Sequence, residues 1–387
     1  NIDMTQVNWR DFGKHDARTE TKNDEAARFD YIVAFFNHLS WNVWPGHRSI
    51  YDNVALPKFV KKNKRNPKDR HEVRKLMLKE SYFQYWSMMR VFAQANTFEE
   101  RRIIVEQQLD ELVTKCAETP ESSLELNPDL EIPEYQSSLD IHWMPGGYTT
   151  EFVENDVAGG AMYDMGGLYT STNGMLGEYN DGAAYAIIDW VYNNFDRLTQ
   201  PKRILDVGCT VGHNTLPFKE FWPKAEVIGI DIGAPVLRYA DRRAKSLGID
   251  VTFSQQNAEC TEFEDNSFDL IVSTMFLHET SYKAVHNIIK ENHRLLRSGG
   301  LMLHVEQPPF SMMNDPFDQL MKDWDTHNNN EPFWGTMHDM DLSDVAMKGG
   351  FDKEHIIEAF IPLLTPTKKN KFNVGKGEWF VFGAIKS

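Results

Sequence analysis

Several large protein classes are excluded by what this chain does not contain. No run of eighteen apolar residues occurs anywhere in its 387 residues, which argues against a membrane-spanning helix. The opening "NIDMTQVNWRDFGKHD" is polar and charged, so no signal-peptide pattern is visible there. Cysteine is scarce. Cys116, Cys209 and Cys260 stand far apart with no CxxC spacing, which excludes a disulfide scaffold and fits a reducing, cytoplasmic setting. Excess positive charge is missing as well. A formal net charge of −16 argues against a general nucleic-acid binder, whose affinity comes largely from neutralised phosphates.

What is present supports a sizeable core: 41% hydrophobic and 12% aromatic residues, in a chain longer than one average domain. One stretch runs against the acidic balance. "KFVKKNKRNPKDRHEVRKLMLK" at 58–79 carries ten Lys/Arg against two acids. It reads either as a solvated loop and helix face or as a docking patch for an anionic substrate, a coenzyme tail or an acidic carrier protein.

Residues 24–55 and 71–118 have helical character, being rich in apolar residues with few breakers. The acid- and proline-rich 118–135 reads as a linker. Domain bounds follow: a mostly helical N-terminal cap over 1–135, a glycine-rich lid and connecting helix over 136–200, and an α/β domain over 201–387. Nine glycines between 146 and 182 are interleaved with Tyr148, Tyr163, Tyr169 and Tyr179. Such a segment suits neither a helix nor a sheet interior. It suits a loop that wraps a ligand, or a glycine-rich connection whose tyrosines pack on the core.

From residue 203 strands and helices alternate. Strands are expected at 203–208, 225–231, 251–256, 268–274 and 300–306, and helices at 213–221, 235–247 and 283–297, the last ending at Ser298-Gly299-Gly300. This alternation predicts a doubly wound, parallel α/β sheet. "HIIEAFIP" and "GEWFVFGAIK" near the end read as an antiparallel edge pair.

The turn after the first of these strands, "RILDVGCTVGHNTL" (203–216), decides the ligand. A dinucleotide fingerprint G-x-G-x-x-G aligned on Gly208 finds Thr210 and His213 where glycines are needed. A phosphate loop needs a Lys after its last glycine, and none follows Gly212. Present instead is an acid ahead of the turn, Asp206-x-Gly208-x-Thr210-x-Gly212. This resembles the D/E-x-G-x-G-x-G motif of class I S-adenosylmethionine (SAM)-dependent methyltransferases, with Thr at the middle glycine.

The resemblance extends over about 200–387. "AEVIGIDI" ends a strand at Asp231, where that family places an acid accepting both ribose hydroxyls; one carboxylate matches a two-donor diol. Asn257-Ala258 stands where the family often has Asp-Ala beside the adenine. "NSFDLIVSTMFLHE" and "LLRSGGLMLHVEQP" match the later strands. The resemblance, closest to ubiquinone/menaquinone-type small-molecule enzymes, implies a Rossmann-like, mostly parallel seven-stranded sheet and a SAM site that releases S-adenosylhomocysteine (SAH). Its cofactor residues would be Asp206, Gly208, Cys209, Thr210, Gly212, Asp231, Ile232, Asn257, Ala258 and Thr274, with Tyr169 from the glycine-rich segment.

His278 follows the fourth strand in "MFLHE" and Glu306 ends the fifth in "MLHVEQ". Adjacent strands would bring them together as a carboxylate-oriented imidazole, similar to the His–Glu dyad of polyketide C-methyltransferases. Both are the catalytic candidates. Glu279 reads as a helix-start residue or a substrate contact, with His142, Tyr148, Met275 and Trp334 as the other substrate candidates. The Met-, Phe- and Trp-rich 308–340 reads as a substrate-recognition insertion or as core. No metal is expected, because the four adjacent residues of "HDMD" (338–341) cannot all turn to one ion.

The function expected is methyl transfer from SAM to a small molecule, with O- or C-methylation favoured, in natural-product biosynthesis. Two other readings stand beside it: a carrier-tethered substrate docked by 58–79, and a non-catalytic SAM-binding module. Neither nucleic acid nor membrane is expected as a partner.

Overall fold

The computed structural model describes residues 13–165, 179–365 and 373–387. Within them, eight strands form one sheet: β1 (Leu124–Glu125), β2 (Arg203–Val207), β3 (Glu226–Asp231), β4 (Thr252–Gln255), β5 (Phe268–Thr274), β6 (Leu296–Glu306), β7 (Ile356–Thr365) and β8 (Asn373–Ile385). Their spatial order is β1-β4-β3-β2-β5-β6-β8-β7. The first six pair in parallel, and β8 lies antiparallel between β6 and β7. The sheet therefore reverses direction of growth between β2 and β5, the switch point at which ligands bind beyond the strand ends.

The strands form because their apolar runs are covered on both faces. Ile204, Leu270, Val272 and Leu301 pack beneath the helices Gly182–Asn194 and Ala234–Ser246, whereas Leu205, Val207, Ile271 and Met302 pack beneath Tyr282–Leu295 and Leu342–Gly349. Two local expectations differ. The stretch 118–135 is not a free linker, since Leu124 and Glu125 add the eighth strand to the β4 edge. An edge needs only an extended backbone to satisfy its open N–H and C=O groups, not an apolar run. The sequence Ser298-Gly299-Gly300 lies inside β6, which starts at Leu296 immediately after the helix.

The N-terminal region is helical, with π-helical turns at His38–Val43 and Tyr51–Ala55 and the long helix Ser81–Glu106. It has its own core, in which Ile32, Phe36, Tyr51, Trp86 and Ala93 meet Phe317, Leu320, Met321 and Trp324 of the insertion. Cap and insertion, far apart in sequence, are thus one packed layer. Buried Arg70 bonds this layer further, through Asp323 at 2.9 Å and Asp339 at 2.6 Å.

Candidate active site

A cavity of about 480 Å³ opens where β2, β3, β5 and β6 end, walled by the cap and the insertion. On one side stands the acid–glycine turn. Gly208 has φ +70°, and a Cβ there would strike the Phe276 ring at 2.3 Å, so this position favours glycine. Thr210 also holds a left-handed φ, +47°, which a β-branched residue adopts only when its surroundings enforce it. Its N–H donates to Asp231 Oδ2 at 3.0 Å, and Gly233 N–H donates to Oδ1 at 2.9 Å. Burial nevertheless pushes the Asp231 carboxyl up to about 6. Burial likewise pushes Asp206 up to about 7, although Thr215 Oγ1 donates to it at 2.5 Å.

Cys209, Ile232, Asn257, Ala258 and Thr274 line the same side. The Asn257 side-chain oxygen accepts from its own Glu259 N–H at 2.9 Å, which fixes the side chain at the wall. Gly212 packs behind the turn on Phe253 and is not in the lining. Tyr169 lies outside the described residues; Tyr163, from the same glycine-rich segment, lines the cavity and stacks on His213 with ring centroids 5.7 Å apart. His213 is held by Asp164 at 2.6 Å, a buried carboxylate that also takes His15 at 2.6 Å and the Tyr239 hydroxyl at 2.8 Å.

Opposite the turn, β5 and β6 build a dyad. Met275 N–H donates to the Val305 carbonyl at 2.8 Å, which keeps the chain paired one residue beyond β5. Phe276 and Leu277 N–H then converge on Glu306 Oε1 at 3.0 and 2.6 Å, and His278 Nδ1 lies 2.6 Å from Oε2. Glu306 is wholly buried behind His278, whereas His278 lines the cavity. Burial opposes charge on both. Their mutual attraction wins: His278 is raised to about 9 and Glu306 is held below the usual carboxylate range. The Trp334 ring packs on the imidazole at a steep angle, with ring centroids 4.6 Å apart.

The remaining substrate candidates, His142, Tyr148, Met275, Glu279 and Trp334, all line the cavity. Glu279 does not start the following helix; Ser281 caps it, accepting from Ala284 N–H. Its Oε1 instead meets His142 Nε2 at 2.7 Å and the Tyr148 hydroxyl at 3.2 Å. His142 occupies a turn with φ +58°, followed by Trp143 at +62°. Gln94 Nε2 donating to its carbonyl at 3.1 Å and Trp143 Nε1 donating to Asn328 O at 2.9 Å hold that turn.

Glu331 was not singled out by any sequence pattern, yet its Oε1 lies 3.5 Å from His142 Nδ1 and 3.7 Å from His278 Nε2. His142, Glu279 and Glu331 place ligand atoms within 4.8 Å of one another, a candidate metal cluster that the sequence did not foresee. The two carboxylates address opposite nitrogens of one ring, an arrangement that suits an imidazolium ion pair. Despite burial, Glu331 and Glu279 raise His142 to about 9. "HDMD" divides its work: His338 is buried against Trp334, Asp339 binds Arg70, and Asp341 caps a helix.

Residues 204–300 match the family described as Methyltransferase domain. A demethylmenaquinone methyltransferase of Thermus thermophilus is 35% identical over 109 residues, 28% of this chain and 49% of that protein. A tRNA N(3)-methylcytidine methyltransferase of Drosophila melanogaster is 27% identical over 132 residues, 30% of this chain and 40% of that protein. A solved SAM-dependent methyltransferase from Methanosarcina mazei is 25% identical with a TM-score of 0.35, covering 48% of this chain and 92% of that one. The chain spans about half the length, or less, of these curated relatives. Acid–glycine turn, strand order and matched domain make residues 204–300 similar to the class I SAM-dependent methyltransferases. Among the curated relatives, the similarity to menaquinone-type methyltransferases is a loose one.

Proposed function

We propose that this protein transfers the methyl group of SAM to oxygen or carbon of a small-molecule acceptor, with His278 as general base and Glu306 as its positioning partner. The observation that carries this reading is one cavity in which the Asp206/Asp231 turn faces the His278–Glu306 dyad. The residues fit SAM. Each Asp231 oxygen keeps a lone pair beyond its backbone bond, enough for a ribose diol, and Asp206 offers a carboxyl to a cationic amino-acid end. When bound, SAM supplies an electrophilic methyl on a sulfonium centre.

The chain's own work is positioning and proton removal. Glu306 Oε2 accepts the hydrogen bond of His278 Nδ1–H, which leaves Nε2 to the cavity. With a cation at Asp206, His278 would have its pKa lowered by repulsion, and its Nε2 could then accept a proton from an acceptor hydroxyl or an acidified C–H. Trp334, Tyr148 and Tyr135 supply aromatic walls.

The net charge of −16 favours a small molecule over a nucleic acid. Part of the 58–79 charge is spent within the chain, Lys58 on Glu80, Arg65 on Glu72 and Arg70 on Asp323 and Asp339, which favours a free over a carrier-bound acceptor. No helix among the described residues is long and apolar enough to cross a membrane; free Cys116, Cys209 and Cys260 support a reducing, cytoplasmic location. Calorimetry with SAM, beside Asp231→Ala and His278→Ala, tests the proposal. Asp231→Ala should lose SAM binding, while His278→Ala should bind SAM and lose turnover on whichever acceptor the parent methylates. Failure of the parent to bind SAM sinks the reading.

A further inference from the structure

The long helix Ser81–Glu106 runs along the cavity and contributes Arg90, Gln94, Phe98 and Arg101 to its lining. Its two ends meet different partners. Arg101 Nη1 donates to the Met162 carbonyl at 3.3 Å, next to Tyr163 and the acid–glycine turn. Arg90 lies about 16 Å away along the helix axis and faces the insertion. Its guanidinium carbon sits 4.5 Å from the Phe36 ring centroid and 5.7 Å from that of Trp324.

Arg90 Nη1 is buried with no hydrogen-bond partner, and no carboxylate of the described residues forms an ion pair with the guanidinium. In the same layer, Arg70 bonds two carboxylates. The contrast matters because a buried guanidinium without an anion is costly, and contacts with aromatic faces offset only part of that cost. Asp325 shares the cavity wall and its charge acts on Arg90, but it makes no hydrogen bond or ion pair with the guanidinium, and burial and the Glu331 charge push its own carboxyl up.

We propose that Arg90 binds a carboxylate carried by the methyl acceptor, which makes the acceptor an organic acid anchored at the insertion end of the cavity. This rests on the methyltransferase reading above. A carboxylate matches one guanidinium fork in two parallel hydrogen bonds. A phosphate dianion fits less well, because Glu331, whose charge already acts on Asp325 there, repels a second negative charge. Placing the anion beside the insertion leaves the rest of the acceptor to extend toward His278 and Trp334.

The test uses the full chain and three acids (benzoate, cinnamate and hexanoate), each beside its primary amide, titrated by calorimetry with and without SAH. At least one acid should bind at least about tenfold tighter than its amide, as charge-assisted bonds imply. Arg90→Met should abolish that preference, Arg90→Lys should keep part of it, and SAH affinity should stay unchanged in both. Should Arg90→Met fail to fold, Arg90→Gln carries the same test. An absent acid preference, or one that survives without the charge, overturns the proposal. Loss of SAH affinity in the Arg90 variants overturns it too, by assigning Arg90 to the cofactor. Failure of SAH to bind the parent would strike the methyltransferase reading alone, because the acid–amide preference is also read without SAH.

Discussion

Thr210 occupies a backbone conformation made for glycine, and its φ of +47° is held by the Asp231 bond to its N–H. Strain of this kind costs about 1–3 kcal/mol, so the usual order of substitutions should invert. Thr210→Gly relieves the strain at the cost of a freer unfolded chain, for a net change within about 1 kcal/mol. Thr210→Ala keeps most of the strain, so urea denaturation should find it the less stable of the two. At His278 the expectation concerns proton affinity. As the proposed base, His278 would work only unprotonated, and Glu306 with its neighbours holds the imidazole up at about 9 against burial. Glu306→Gln removes that attraction while burial remains, so the acid limb of kcat/KM should move to lower pH as the rate falls. A purely structural role for Glu306 would lower the rate and leave the limb in place.

At the scale of elements, legibility followed local pattern. Strands β2 to β6 are readable because each is an apolar run next to a turn, and the His278–Glu306 pair because both residues sit at strand ends whose adjacency the α/β alternation dictates. β1 is invisible because two edge residues need no pattern, and Glu331, Asp325 and Arg90 because only the packing of cap on insertion carries them to the cavity. The Met-, Phe- and Trp-rich insertion divides its rings, Trp324 in the cap core and Trp334 against His278 at the cavity. The joint between cap and insertion can be tested. Arg70→Met leaves Asp323, only 2% exposed, without its guanidinium partner, a loss of about 3–5 kcal/mol. Denaturation should show that loss, and acceptor KM should rise more than SAM affinity falls, because the acid–glycine turn is built on β2 and β3 instead.

For the whole molecule, the cavity concentrates groups whose charge is poorly matched until a ligand arrives. Asp206 near 7, Asp231 near 6 and Asp325 near 7 all stand above the ordinary carboxylate value of 3.8. A raised folded-state pKa contributes stability that is complete below the unfolded value and lost as pH climbs through the folded one. Raised to about 9, His142 and His278 act in the same sense, keeping their contribution below 6.5 and losing it as pH approaches 9. Below pH 6.5 the buried His47, His304 and His338, lowered to about 4 by burial, act in the opposite sense, so the unliganded protein should lose stability between pH 6.5 and pH 9. A cationic cofactor reverses the sign for the acids, since it prefers Asp206 and Asp231 ionised and offsets the repulsion that their ionisation creates. The rise in Tm produced by saturating SAM should thus be small at pH 5 and larger at pH 8, and SAH, without the sulfonium charge, should show a weaker pH dependence. Thermal unfolding scans at the two pH values check this directly. An equal rise at both would mean that the acids of the turn do not sense the cofactor's charge, and that Asp206 serves only to hold Thr215.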